Sequence, residues 1–230
     1  MSPSVQSDWD SYWVASKRTQ SATPLSKLYA LIAEIYRRIL IRPLLNHYYQ
    51  RYLKNSPRIL HAGCGSGQVD SDISCNRRIT GLDISSVALH IYKEENSANA
   101  GTIQSDLFFL PFKNNSWDGL YNLGVMEHFS QEQIAALLQE FRRCLKKEAP
   151  AVIFWPPHYG LSVIFLRYVQ KLFKLFSGKT IALHPAEPSL IRSRQQVEKL
   201  FEQAGFIDIR YHFSIRDLFT YCIISARTPA

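Results

Sequence analysis

Apolar positions along the chain follow two different periods, and the change between them divides it. Over residues 24–41 they recur at helical spacing (Leu28, Leu31, Ile32, Ile35, Leu40), with Arg37 and Arg38 near the end where a helix dipole favours cations. Pro43 marks a break and can open a second helix reaching Leu53. From Arg58 onward short apolar runs alternate with helical stretches. Strands are predicted at 59–62, 78–82, 101–104, 117–123 and 151–155, and helices at 68–75, 85–93 and 130–147. Ser85 or Ser86 caps the second of these helices, and Ser130, with Glu132 and Gln133 in the first turn, caps the third. Residues 157–192 are longer than a crossover needs and read as an insertion holding an apolar-basic helix at 161–176. A helix at 193–205, with Gly205 just past its end, precedes an antiparallel hairpin at 206–213 and 218–226.

Strands alternating with helices imply an α/β fold around a doubly wound, seven-stranded sheet, mostly parallel with an antiparallel C-terminal hairpin. With no Gly/Ser-rich linker in the chain, residues 1–56 are an N-terminal arm and helical appendage to a domain at 57–230, with a cap insertion at about 157–192. The first 23 residues begin irregularly. Their run Asp8-Trp9-Asp10-Ser11-Tyr12-Trp13 packs on the domain as a structural arm or closes over a ligand pocket as a flap, with Trp13 as its substrate-side candidate.

Composition narrows the class. Hydrophobic residues are 46% and charged residues 20%, as in ordinary globular proteins. The four cysteines, Cys64, Cys75, Cys144 and Cys222, form neither a C-x-x-C pair nor a zinc-spaced cluster, so no metal is expected and a reduced, cytoplasmic protein fits. The polar start lacks the apolar core of a signal peptide, and no apolar run is long enough to span a bilayer. The net charge is +8, but the basic residues are spread along the chain. No compact basic cluster with interleaved aromatics points to nucleic acid.

Candidate chemistry collects at the strand ends, where doubly wound sheets bind ligands. The first strand runs into a turn with glycines at alternate positions, Gly63, Gly65 and Gly67, where backbone can come close to a ligand. Asp83 ends the second strand, about 20 residues on, at the distance of a ribose-binding acid. Asp106 follows the third strand, and Asn122-Leu123-Gly124 the fourth. The glycine spacing is G-x-G-x-G rather than the dinucleotide G-x-G-x-x-G, and no Gly-Lys-Ser/Thr follows, which excludes a P-loop.

The residues 59–67, Ile-Leu-His-Ala-Gly-Cys-Gly-Ser-Gly, resemble motif I of class I S-adenosylmethionine-dependent methyltransferases. Ile79–Ser85, Ser105–Asp118 and Asn122–Phe129 resemble the segments after the next three strands. The nearest subgroup is the small-molecule set that includes ubiquinone and menaquinone methyltransferases, and the likeness is good over about 57–156. It implies a Rossmann-like fold and S-adenosylmethionine as cofactor. It also implies cofactor-binding roles for His61, Gly63, Cys64, Gly65, Gly67, Asp83, Ile84, Asp106, Leu107, Asn122 and Leu123. Within that set Asp83 would take the ribose hydroxyls, and Asp106 with the Leu107 amide the adenine. His61 departs from the pattern, which often has an acid there. A neutral imidazole would serve as an acceptor, with weaker or more pH-sensitive cofactor affinity.

The implied reaction is methyl transfer by in-line displacement to a small or lipid-like acceptor near Glu127 and His128, the candidate base pair. His128 packing under the following helix is the structural alternative. His158 and Tyr159 are further substrate or lid candidates. Trp155-Pro156-Pro157-His158-Tyr159 looks like the motif of nucleic-acid amino-methyltransferases but follows the fifth strand instead of the fourth, so that reading is rejected. The helix at 161–176 lies on an anionic membrane surface, lids a lipid-like acceptor, or packs on the sheet as a cap. Against the enzyme stand a non-catalytic cofactor-binding module and an RNA or protein methyltransferase.

Overall fold

The computed structural model describes residues 3–22, 31–70, 73, 78–96, 101–164, 167, 168, 171 and 187–230. Cys75, His184 and most of the expected 161–176 helix lie outside them. Seven strands form one sheet: β1 (Ile59–Ala62), β2 (Ile79–Asp83), β3 (Gly101–Gln104), β4 (Gly119–Leu123), β5 (Pro150–Trp155), β6 (Ile207–His212) and β7 (Cys222–Arg227). Their order is β3-β2-β1-β4-β5-β7-β6. The first five are parallel, and β7 and β6 are antiparallel, as the sequence predicts. The connection from β3 back to β4 at the centre reverses the winding between β1 and β4, and this opens a crevice at their carboxyl ends.

Both faces of the central strands are buried, so alternate residues of one strand feed two cores. Leu60, Leu82, Leu120, Ile153 and Ile224 pack under helices α4 (Gln131–Cys144) and α5 (Arg194–Gln203) through Ile134, Leu138, Phe141, Val197 and Phe201. On the opposite face Ile59, Ile79, Tyr121, Val152, Phe154 and Ile223 meet Ile41, Leu44, Leu45, Tyr48, Tyr49 and Leu53. The helical stretch before β1 is therefore a layer of the core and not the appendage expected from the sequence. Helix α3 (Ser86–Glu95) starts at the Ser85 cap, whose hydroxyl accepts the Ala88 N–H at 3.1 Å. Ser130 and Gln133 form a reciprocal capping box on α4.

Three local expectations give way. Residues 3–22 form a regular helix, α1 (Pro3–Ala22), where an irregular start was expected, and it carries the aromatic run. Pro43 breaks nothing: α2 (Arg42–Tyr48) continues from a π turn at Arg37–Ile41 and passes into another at Tyr49–Leu53. A wider turn ahead of the proline leaves room for a ring with no N–H to offer, so the rod bends its hydrogen-bond ladder and goes on. After the glycines there is no helix among the described residues of 68–75. Gly67, Asp70 and Ile73 are linked by successive tight turns (2.9 and 3.0 Å).

Candidate functional site

A cavity of about 690 Å³ opens at the carboxyl ends of β1, β2 and β4, at the reversal of strand order. Its floor is the turn after β1. Gly63, Gly65 and Gly67 all have left-handed backbone (φ 70°, 52° and 65°), which side chains other than glycine seldom adopt. They answer to different neighbours. A Cβ on Gly63 would strike Val125, one on Gly65 the Trp13 indole, and one on Gly67 the Tyr92 ring. Gly67 is thus fixed by packing of α3, and Gly65 by an aromatic ring lying on the cradle.

Asp83 ends β2 against this turn. Its Oδ2 accepts the Gly65 N–H and its Oδ1 the Ser85 N–H, each at 2.9 Å. Burial pushes its carboxyl up from the usual range, while those two amides pull it back. Ile84, Asp106, Leu107, Leu123 and Cys64 also line the cavity. Asp106 is locally braced, accepting the Phe108 N–H at 3.0 Å.

His61 and Asn122 stand behind the wall and do not line the cavity. His61 Nδ1 lies 2.6 Å from Asp70 Oδ2, and the Tyr92 hydroxyl donates to the same oxygen at 2.7 Å. With the carboxyl as acceptor, Nδ1 carries the hydrogen, so the imidazole is a donor here where the sequence suggested an acceptor. Its ring stacks on Tyr121 at 4.2 Å. Asp70 thus brings a carboxyl group behind the turn, from a position with no motif to announce it. Asn122 Nδ2 donates to the Ala62 carbonyl at 2.6 Å, tying β4 to β1.

The far end of the cavity is built by the turn after β4. Gly124 (φ 70°) leaves a space that Glu127 Oε1 and the Tyr221 hydroxyl both approach: a Cβ there would sit 3.7 and 3.9 Å from them. Glu127 is 4% exposed, and its Oε2 has no hydrogen-bond partner among the described residues. Burial above all, helped by the charge of Glu187, raises its pKa to about 8. Burial also raises the Tyr221 phenol, which stays a hydrogen-bond donor. His128 is on the wall, edge-on to Trp9 with centroids 5.2 Å apart.

Helix α1 roofs the cavity, supplying Val5, Trp9, Tyr12, Trp13 and Ser16 to its lining. Asp10 holds it there: its Oδ1 accepts the Ser85 hydroxyl at 2.5 Å and the Val87 N–H at 3.3 Å, at the start of α3. Arg37 is the one cation among the described lining residues. Its guanidinium reaches Glu34 at 3.5 Å, but its Nε has no partner among them. His158 and Tyr159 are elsewhere. His158 Nδ1 meets the Ile191 carbonyl at 3.1 Å, and Tyr159 shares a hydrogen bond with Tyr211 at 2.8 Å. Sequence reading missed Asp10, Arg37, Asp70, Glu187 and Tyr221. Arg37 was legible only as a cation near a helix end, and Asp10 only as part of an aromatic run.

Comparison with known proteins agrees with this architecture. Residues 59–148 match the family described as a methyltransferase domain. An uncharacterised protein of Methanocaldococcus jannaschii is 26% identical over 190 residues, 77% of this chain and 70% of that one. Magnesium protoporphyrin IX methyltransferase from Synechocystis PCC 6803, solved with bound SAH, superposes with a TM-score of 0.66. It is 15% identical, over 97% of this chain and 98% of that one. The S-adenosylmethionine-dependent methyltransferase SibL superposes at 0.68 with 16% identity, over 94% of this chain but 62% of its own. Residues 59–148 are thus similar to a methyltransferase domain, and the chain has the fold of solved methyltransferases that use S-adenosylmethionine. The residues present suit S-adenosylmethionine: a cavity of the right size, a glycine cradle that side chains would fill, an acid at the β2 end, and a cation in the lining.

Proposed function

We propose that the protein methylates a small or lipid-like acceptor seated over Gly124, between Glu127, Tyr221 and His128. The observation that carries this is the Glu127 carboxyl, buried on the cavity wall with one oxygen unpartnered among the described residues. A buried polar atom without a partner is costly to keep, and such atoms concentrate where a ligand completes them. S-adenosylmethionine, when bound, supplies a methyl group already activated on a sulfonium. What remains for the protein is positioning, exclusion of water and, for an acceptor that must lose a proton, a base.

Gly63, Cys64 and Gly65 form the cradle, with Asp83 and Ile84 toward the ribose and Asp106 and Leu107 toward the base. Arg37 fits a carboxylate at the opposite end. His61 and Asn122 act from behind, holding the turn and β4 in register. Glu127 takes the acceptor proton on Oε2, Tyr221 donates a hydrogen bond beside it, and His128 orients the acceptor under Trp9. Helix α1 is the flap, with Trp13 lying on Gly65 and shutting out water. The aromatic roof of Trp9, Tyr12 and Trp13 supports an apolar ring or lipid-like acceptor.

Calorimetric titration with S-adenosylmethionine tests the site. The account expects binding to the wild type and at least tenfold weaker binding to Asp83→Ala. No heat with wild type, or equal affinity in the variant, would overturn it.

A further inference from the structure

Between β6 and β7 a single 3-10 turn, Ile215–Asp217, ends in two residues that defy ordinary turn chemistry. Leu218 and Phe219 both take left-handed backbone (φ 48° and 54°), where glycine or asparagine is the usual occupant. Each such residue costs roughly 1–3 kcal/mol and persists only when its surroundings hold it. Here they do. Asp217, 1% exposed, accepts the Phe219 N–H at 2.9 Å and the Ser214 N–H at 3.3 Å. The Thr220 hydroxyl donates to the Asp217 carbonyl at 2.6 Å. The brace holds apolar side chains outward: Ile215 is 69% exposed and Leu218 51%.

Two other elements join this turn. The Leu161 N–H donates to the Phe219 carbonyl at 2.9 Å, which seats a helical segment beside it with Leu161, Ile164 and Tyr168 exposed at helical spacing. Tyr36, whose hydroxyl lies beside Thr220 and Ser162, brings in the helix that exposes Ile32, Ile35 and Ile39. A monomer seldom carries so much clustered exposed apolar surface without use for it. Arg38, Arg167, Lys171 and Arg216, carried by the same three elements, are exposed, and none is in an ion pair among the described residues.

We propose that this three-element face docks the protein on an anionic lipid surface. Its apolar side chains enter the headgroup boundary, and the four cations meet lipid phosphates. The complementarity is of charge as well as polarity, since the chain carries a net +8. Tyr221, two residues past Phe219, lines the cavity, so the docked face borders its acceptor end. Docking stands on this face alone; that the surface also delivers the acceptor rests on the reading of the Glu127 end given above.

The test is flotation of the full chain with vesicles of phosphatidylcholine and phosphatidylglycerol, beside vesicles of phosphatidylcholine alone. The expected result is flotation with the anionic vesicles only. The variant Ile215→Ser/Leu218→Asn/Phe219→Gly should partition at least tenfold less. Its asparagine and glycine relieve the left-handed strain, so its melting temperature should hold or rise, and its calorimetric response to S-adenosylmethionine should be unchanged. Three results overturn the proposal. The wild type fails to float, the variant floats equally well, or light scattering shows a wild-type dimer that the variant abolishes, which makes the face an interface between copies. Cofactor binding is read separately, so a failure of docking leaves the methyl-transfer reading standing, and the reverse.

Discussion

A carboxyl group that loses its water and gains no cation keeps its proton, and Glu127 is so placed. With its pKa at about 8, it is a base only in the upper part of the physiological range. Turnover should therefore rise with pH through about 8. Glu127→Gln should lower kcat by about 10²–10⁴ and lose that rise, leaving the heat of cofactor binding intact. Stability carries the opposite sign. The folded state holds a proton that the unfolded chain releases near 4.5, so this contribution is fully present below 4.5 and is lost as pH rises through about 8. The loss is on the order of 3–5 kcal/mol. Urea unfolding from pH 5 to 9 should show the decline in the wild type and a flatter profile in Glu127→Gln. The sequence put Glu127 and His128 near the acceptor because they follow β4. It held no sign of Tyr221, which reaches Gly124 from just ahead of β7, almost a hundred residues later. His61 shows the same limit from the other side. Its partner Asp70 lies in a turn whose shape depends on Tyr92, so the pair forms only when three segments meet.

Elements with a strong period or a cap were legible. The amphipathic helix after Ser130 and the strand 59–62 fall where the pattern puts them, because burial and capping are written locally. Residues 3–22 were not, since a helix docked by a few aromatics and one carboxylate has no continuous apolar stripe to announce it. Pro43 misled for a related reason: the π turn that accommodates it is chosen by the packing of Leu44, Leu45 and Tyr48 on the sheet. The docking of α1 turns on Asp10, which caps α3 from outside its own chain segment. Asp10→Ala should cost about 1 kcal/mol, the ordinary worth of a lost cap. Hydrogen exchange should then quicken in α1 and in the first turn of α3 while the sheet amides stay protected. Unchanged exchange in α1 would show that the aromatic contacts hold the roof without Asp10.

For the whole molecule, the order of strands does most to define the site. Reversal between β1 and β4 sets the glycine turn, Asp83, Asp106 and Gly124 around one crevice, and the cores on both faces keep those strand ends in place. That arrangement could be inferred from the residues at four successive strand ends. The roof, the acidic far end and the exposed face beside Phe219 could not, because each joins segments that only the fold brings together. No described helix is long and apolar enough to cross a membrane. The central claim is methyl transfer to an acceptor held at Glu127. Its most direct test is transfer of labelled methyl from S-adenosylmethionine into a lipid and metabolite extract, run with wild type, Asp83→Ala and Glu127→Gln. The account predicts a labelled product with wild type, strong loss in Asp83→Ala, and loss in Glu127→Gln despite normal cofactor binding. Cofactor binding with no labelled product in any fraction, or a Glu127→Gln variant as fast as wild type at every pH, would contradict it.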